Sequence, residues 1–248
     1  MGRFQIFRRN KDKQPQDVVE QPQALTFSQL VEQYGVASYE KQLRAIGLIG
    51  GKNWHLDLEK GIITFGNSQQ EDELKFPVQL LGTYSHLSGT WIWSWERPEA
   101  GIADRALEKV FQILDFGKTY HVNEFITPAF AADKHFPHLL GLVAVGIYDS
   151  SFYYCGDFGD GLVLVTVRDR LIDSASAFEG PTPESVFSQF IASFEVNHRR
   201  ALQEYLSSKG YEVSMDGNIL RAADGEDRIE AEFDTLDRVV KLNRLWYE

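Results

Sequence analysis

Three tryptophans at alternate positions are the feature that most constrains the fold of this chain. Trp91, Trp93 and Trp95 lie within the stretch VQLLGTYSHLSGTWIWSWE, which spans 78–96. Because the side chains of a β-strand point alternately to its two faces, a strand here projects all three indoles from one face. A face this large and apolar needs a cover, which is either the protein core or a ligand.

A Ser-Gly pair supplies the turn that makes this stretch a β-hairpin, since glycine tolerates positive φ. With a two-residue loop at 87–88 or 88–89, Gly82 and Tyr84 share a face with the tryptophans, and Gly82 leaves space for an indole ring. A three-residue loop reverses this phase. We favour the two-residue loop.

Two interpretations of the tryptophan face stay open. In the first, Trp91, Trp93 and Trp95 pack under a helix as part of the core. In the second, they form a stacking platform for a sugar, a nucleobase, an apolar ligand or a peptide, with Tyr84 and His86 at its edge. The core interpretation is favoured most strongly for Trp93. The rim formed by Tyr84, His86 and Trp91 is the part most open to contact with a ligand.

The spacing of apolar residues predicts further helices and strands. The predicted helices cover 27–46 with Thr26 as N-cap, 102–116 ended by Gly117, a short stretch between Pro128 and Pro137, and 183–208. The predicted strands are a hairpin over 54–65, buried central strands at 139–155 and 161–169, and three short strands at 211–215, 228–234 and 239–248.

This order predicts an α+β fold. Twisted antiparallel sheets are packed by helices, and each unit is a helix followed by a meander of strands. A sheet curled around a long helix, as in cystatin-like or nuclear-transport-factor-like cones, is the analogous architecture, and the analogy carries no function.

Composition divides the chain into three predicted parts. A disordered basic tail covers 1–24, an α+β region with the tryptophan hairpin covers 25–175, and a helix with antiparallel strands covers 176–248 and packs against the first region. The tail places Phe4 and Phe7 beside basic residues, but a single weak signal of this kind anchors a protein poorly to membranes.

Charge and cysteine content bound the classes of function. The net charge of −11 argues against a nucleic-acid-binding surface, which needs clustered Lys and Arg, and it suits a basic partner. Cys155 is the only cysteine, so no internal disulfide can form, and no apolar run reaches the ~18 residues of a membrane span. We expect a cytoplasmic protein with no transmembrane segment and no cofactor.

Four residues give the densest set of possible metal ligands. His121, Glu124, His135 and His138 combine imidazole and carboxylate groups that suit zinc or iron. Pro137 disfavours a helix at the last pair, and the H-E-x-x-H spacing is absent. Histidines that are exposed or hydrogen-bonded in a loop are the favoured alternative.

Other sequence motifs resemble catalytic or binding sites but lack the surrounding residues that such sites require. The Gly-Lys-Thr at 117–119 lacks the preceding glycine of a phosphate loop, and the Asp-Phe-Gly at 157–159 lacks every other kinase element. The alternation of His55, Asp57 and Glu59 is typical of a solvated sheet face. Cys155 at a strand end is interpreted as a small buried residue.

The tryptophan hairpin resembles an uncharacterised bacterial family. The matching residues are Gly82, Thr83, Tyr84, Ser85, Thr90, Trp91, Trp93 and Trp95. The resemblance covers about residues 45 to 120, and the Glu-Arg pair at 96–97 departs from it. It implies a bacterial, cytoplasmic origin and supplies no catalytic activity that can be carried over to this chain.

Two functions of different classes follow. The first is a non-enzymatic binding module that recognises a protein partner or a small ligand, and an acidic immunity protein that neutralises a basic toxin is one form of it. The second is a metal-dependent hydrolase built on His121, Glu124, His135 and His138.

Overall fold

The computed structural model describes residues 23–66, 73–96, 101–174 and 181–245. The predicted tail over 1–24 lies outside these ranges apart from its last two residues. Within the described ranges, no helix is both long and apolar enough to cross a membrane.

Helices and two antiparallel sheets make up the predicted α+β fold. The helices are α1 (Phe27–Ile49), α2 (Glu108–Tyr120), α3 (Asn123–Ile126), α4 (Phe136–Tyr148), α5 (Arg170–Ser174), α6 (Pro183–Ser193) and α7 (His198–Ser208). The first sheet holds β1 (Trp54–Asp57), β2 (Ile62–Phe65), β3 (Leu74–Ser85), β4 (Thr90–Trp93), β5 (Ala129–Ala131), β6 (Phe152–Asp157) and β7 (Gly161–Val167). The second sheet holds β8 (Glu212–Asp216), β9 (Ile219–Asp224), β10 (Asp227–Phe233) and β11 (Val239–Leu245).

The start of α1 follows the sequence prediction, and its end does not. The Thr26 side chain accepts from the backbone N–H of Gln29, and the Gln29 side chain accepts from the backbone N–H of Thr26, which completes a capping box. The helix continues past Gly47 to Ile49. Ile49 is buried, and its burial favours the additional helical residues over a stop at an exposed glycine.

β3 is the central strand of the first sheet. It pairs with β2 and then β4 along one edge, and with β7 along the other. A β-bulge between Leu80 and Gly82 interrupts the ladder with β7. The sheet curls into a half-barrel, so that the Trp54 ring reaches Gly156. A β-carbon at Gly156 would lie 2.6 Å from this ring, which is why only glycine fits there.

Helices cover the convex face of the half-barrel. α4 packs on β6, where Gly141 lets the Tyr153 ring approach the helix backbone. α1 crosses α4 where Gly146 meets the ring of Tyr34. α1 also reaches β6, where Gln42 Oε1 accepts from the backbone N–H of Tyr153 at 3.2 Å, and it contacts α6 and α7 as well.

The predicted strand over 139–155 is wrong in its first half, because residues 136–148 form α4. This helix lies between α1 and the sheet, and side chains on every side of it are buried, including Leu140, Leu142 and Val145. A helix buried all round has no polar face, so its sequence cannot be distinguished from a buried strand by periodicity.

Three other helix predictions are corrected. The stretch between Pro128 and Pro137 holds β5 instead of a short helix, and Pro137 occupies the first turn of α4, where its missing N–H costs nothing. α2 runs past Gly117 and ends where His121 adopts a left-handed conformation. The segment 183–208 is two helices, because Phe194 is extended and Asn197 caps a new start.

The second sheet is a four-stranded meander that packs on α6 and α7. Its buried face carries Leu220, Ile229, Ala231 and Phe233. The sequence did not predict β9, since its segment ILRAAD has one β-branched residue and is held by ladders on both sides. The predicted division of the chain at residue 175 stays a prediction.

A buried carboxylate joins α7 to α1. Glu40 accepts hydrogen bonds from the Tyr205 hydroxyl at 2.7 Å and from Lys209 Nζ at 3.0 Å, and it pairs with Arg44 of its own helix. A carboxylate taken out of water is stable only when its oxygens are bonded in this way.

We expect Tyr205→Phe to lower the free energy of unfolding by about 2 kcal/mol, the size of a hydrogen bond to a charged group. Urea denaturation followed by circular dichroism measures this change. Tyr120→Phe is the matched control, because the Tyr120 hydroxyl has no hydrogen bond to a described residue. Equal stabilities of the two variants would contradict the role given to Glu40.

Candidate ligand-binding pocket on the concave sheet face

The tryptophan hairpin has the phase that the sequence predicts. Gly82 lies opposite Trp93, and Tyr84 lies opposite Trp91. The turn is longer than expected, because residues 86–89 all lie outside the β-ladder. A loop with an even number of residues leaves the pairing unchanged, so the strands keep the phase of a two-residue loop at 87–88. Gly82 and Tyr84 therefore share the face of the two indoles.

Trp91 and Trp93 point into the core and are fully buried. Trp93 Nε1 donates to the carbonyl oxygen of Glu124 at 2.9 Å, and its ring meets Phe125 edge-on at 6.0 Å. The Trp91 ring meets Phe136 at the start of α4 at 6.0 Å. The core interpretation fits both side chains, and no open face remains for a stacked ligand.

Trp95 does not extend the row of indoles. β4 ends at Trp93, and the Ser94 hydroxyl donates to the carbonyl oxygens of Leu80 and Leu81. These bonds turn the chain out of the strand, so alternation stops before Trp95, which is half-buried.

The predicted rim lies at the end of the sheet. Tyr84 is buried and meets the His86 ring edge-on at 5.8 Å. His86 is partly exposed, and its Nε2 lies 3.5 Å from a carboxylate oxygen of Asp157 at the end of β6. Of the rim residues, His86 is therefore the one that solvent reaches most freely.

The possible metal ligands do not come together. His121 ends α2, Glu124 lies in α3, and His135 precedes α4. His138 Nδ1 lies 3.3 Å from the Tyr153 hydroxyl, and burial lowers the pKa of this imidazole. No group of three or more His, Cys, Asp or Glu side chains in the described parts of the chain could hold a metal ion. The prediction of a metal site therefore finds no support.

The polar side chains of the first hairpin form an open, solvated groove. Asp57 pairs with Lys60 at 2.7 Å, and hydrogen bonds from Lys60 lower the pKa of the Asp57 carboxyl. Glu73 pairs with Lys75 at 2.6 Å at the start of β3. This hollow has a volume of about 770 Å³, and its charges are paired with one another. We interpret it as a solvated sheet face.

Cys155 is an unreactive thiol. Although it keeps some exposed surface, burial raises its pKa to about 12 from the ordinary 9.0, because a thiolate is poorly solvated among apolar groups. The thiolate is the nucleophilic form, so this rise leaves little reactive sulfur near pH 8.

We expect Cys155 in the folded protein to react at least about 100-fold more slowly with a chromogenic disulfide reagent at pH 8 than in the unfolded chain. The measurement compares native protein with protein in concentrated guanidinium chloride. Equal rates in the two states would show that the thiol is accessible and ionised.

A pocket of about 380 Å³ opens on the concave face of the first sheet. Thr83 pairs with Ile92 on one side and with Val163 on the other, so these three side chains stand in a row across β4, β3 and β7. They occupy the face opposite to the buried tryptophans. The pocket is thus formed by the alternate residues of the same hairpin.

The pocket walls come from distant parts of the chain. Leu58 follows β1, and Ile102 lies in the segment that leads to α2. The backbone N–H of Ala103 donates to the Leu58 carbonyl oxygen at 2.9 Å, which holds the two walls together. Leu80 lies on the floor of the pocket beside the row of Thr83, Ile92 and Val163. Glu96 lies at the entrance of the pocket.

A family model matches residues 28–169, more than half of the chain. The chain belongs to a family of unknown function, DUF6882. The matched DUF6882 segment runs from α1 to just beyond β7 and contains every described residue that lines the pocket. α6, α7 and the second sheet lie outside it. No curated protein and no solved structure matches this chain.

Membership in DUF6882 agrees with the prediction of an uncharacterised family, while the tryptophan hairpin as its signature and its bacterial origin stay predictions. The sequence reasoning missed the pocket, because it concentrated on the tryptophan face. The missed signal was Ile92, an apolar residue between two tryptophans at a position where a solvated outer face would be polar.

Proposed function

We propose that this DUF6882 protein is a non-enzymatic binding module whose concave pocket takes a small, mainly apolar molecule. The observation that carries the proposal is the row of Thr83, Ile92 and Val163 on the face left open by the helices. A volume of about 380 Å³ lies within the range of ligand pockets, which are apolar with a few polar groups.

Binding of the neutral fluorophore N-phenyl-1-naphthylamine tests the proposal. We expect saturable, one-to-one enhancement of its fluorescence by the wild-type protein. Thr83→Phe fills the pocket and should weaken binding by about tenfold or more. Thr64→Phe is the matched control, since Thr64 lies on the polar groove of the same sheet, away from the pocket. Equal binding by both variants would overturn the proposal.

The proposal places this module in the bacterial cytoplasm. Because Cys155 is the only cysteine, no internal disulfide can form, and an oxidising compartment would not stabilise the chain. The resemblance of the tryptophan hairpin implies a bacterial source. Fractionation of the native organism tests this placement, and recovery of the protein outside the cytoplasm would contradict it.

A basic protein partner is the second candidate. Leu87 is 97 % exposed and Phe158 is 54 % exposed, on two turns joined by the hydrogen bond from His86 N–H to the Asp160 carbonyl oxygen. Asp157 and Asp160 add negative charge beside them. Exposed apolar groups with acidic neighbours suit a basic partner, as in an immunity protein that binds a toxin.

The test is co-purification with the products of adjacent genes. A basic partner should remain bound to the wild type and be lost from the double variant Leu87→Ser with Phe158→Ser. Val240→Ser, at an exposed apolar residue of the second sheet, is the control. Retention by the double variant would exclude this surface.

A further inference from the structure

Among the described residues, the entrance of the pocket carries one charged side chain, and its charge is negative. Glu96 lines the pocket, and none of the other described lining residues is charged. Within the described parts of the chain, the Glu96 carboxylate has no ion-pair partner, whereas Asp57 and Glu73 of the polar groove are both paired. A carboxylate at the mouth of an apolar pocket is a recognition group for a cation.

The polar groups inside the pocket are few. The Ser94 hydroxyl already donates to the carbonyl oxygens of Leu80 and Leu81, so its hydrogen is not available to a ligand. The Thr83 hydroxyl has no hydrogen bond to a described residue and stands on the floor. The pocket therefore offers an apolar floor with one hydroxyl, and a carboxylate at its entrance.

We infer that the ligand of this pocket is an amphipathic amine, with an apolar tail and an ammonium head. The tail lies on Val163, Ile92 and Leu80, and the head lies beside Glu96 at the entrance. The overall charge of −11 favours the approach of a cation and opposes that of an anion with the same tail, such as a fatty acid. This inference rests on the proposed function and names its ligand class.

Three probes with the same eight-carbon tail and different heads test it, through displacement of N-phenyl-1-naphthylamine. Octylamine should displace the fluorophore about fivefold better than octanol, the upper end of the effect of an exposed ion pair, and nonanoate should be weakest. Raising the salt from ~0.02 M to ~0.5 M should reduce the advantage of the amine and leave octanol unchanged.

Glu96→Gln should abolish the preference for the amine while octanol binds as before. Glu232→Gln, at an exposed carboxylate of the second sheet, is the control and should keep the preference. Equal displacement by octylamine and octanol in the wild type would overturn the amine inference and leave the apolar pocket standing. The same holds for a preference that survives Glu96→Gln. Absence of fluorophore binding would overturn the proposed function itself.

Discussion

Trp93→Ala is expected to lower the free energy of unfolding by about 3–5 kcal/mol, the range measured for large aromatic residues in protein cores. Trp93 is fully buried, meets Trp91 edge-on at 5.4 Å, and bonds to the carbonyl oxygen of Glu124. Truncation leaves a cavity between β4 and α3 and removes the hydrogen bond to the Glu124 carbonyl oxygen. Urea denaturation followed by circular dichroism measures the loss.

Substitution by phenylalanine separates the lost volume from the lost hydrogen bond. Trp93→Phe and Trp91→Phe remove the same volume from two fully buried positions. Trp91 Nε1 has no hydrogen-bond partner within the described residues, so only Trp93→Phe breaks a bond. We expect Trp93→Phe to be less stable than Trp91→Phe by about 1–3 kcal/mol.

A substitution at an exposed residue shows how little stability changes when no buried contact is lost, and it serves as the reference for the tryptophan variants. Leu87→Ala, at a side chain that is 97 % exposed, should change stability by less than about 0.5 kcal/mol. A loss from Trp93→Ala as small as this would mean that the indole is not in the core.

Gly82→Ala is expected to cost about 3 kcal/mol, the upper end of the range for overpacked cores. A β-carbon at Gly82 would lie 2.7 Å from the Trp91 ring and closer still to the carbonyl oxygen of Ile92. A backbone oxygen in a strand cannot rotate away, so the hairpin ladder itself must move. Thermal and urea unfolding both report this change.

Gly47→Ala is the matched control, and we expect it to raise the free energy of unfolding where Gly82→Ala lowers it. Gly47 is exposed within α1, and an added β-carbon there meets no atom within 4 Å. Alanine in a helix is more stable than glycine by about 0.5–1 kcal/mol. A neutral Gly82→Ala would contradict the close approach of the two strands.

Local patterns in the sequence predicted the hairpin well. The alternation of Trp91 and Trp93, with a turn of even length, fixed which residues share a face, and Gly82 was identified as the space for a ring. The Thr26 cap was predicted for the same reason, because its bonds involve residues within one helical turn.

Elements that depend on distant contacts were harder to predict. The sequence of α4 predicts a strand, because burial on all sides removes the periodic signal of a helix. Phe194 interrupts the predicted helix over 183–208, and the local sign of this break is Asn197, whose side chain caps α7. The metal prediction found no support, since closeness in sequence did not bring His121 and His138 together in space.

The sequence by itself determined the two faces of the hairpin, because the alternation of side chains along a strand is a property of the backbone alone. Only the tertiary structure decided what each face does. Curling of the sheet left Thr83, Ile92 and Val163 as the floor of a pocket, while α3 and α4 covered the tryptophans. The pocket brings together residues as far apart in the chain as Leu58 and Val163, and no local sequence pattern records that placement.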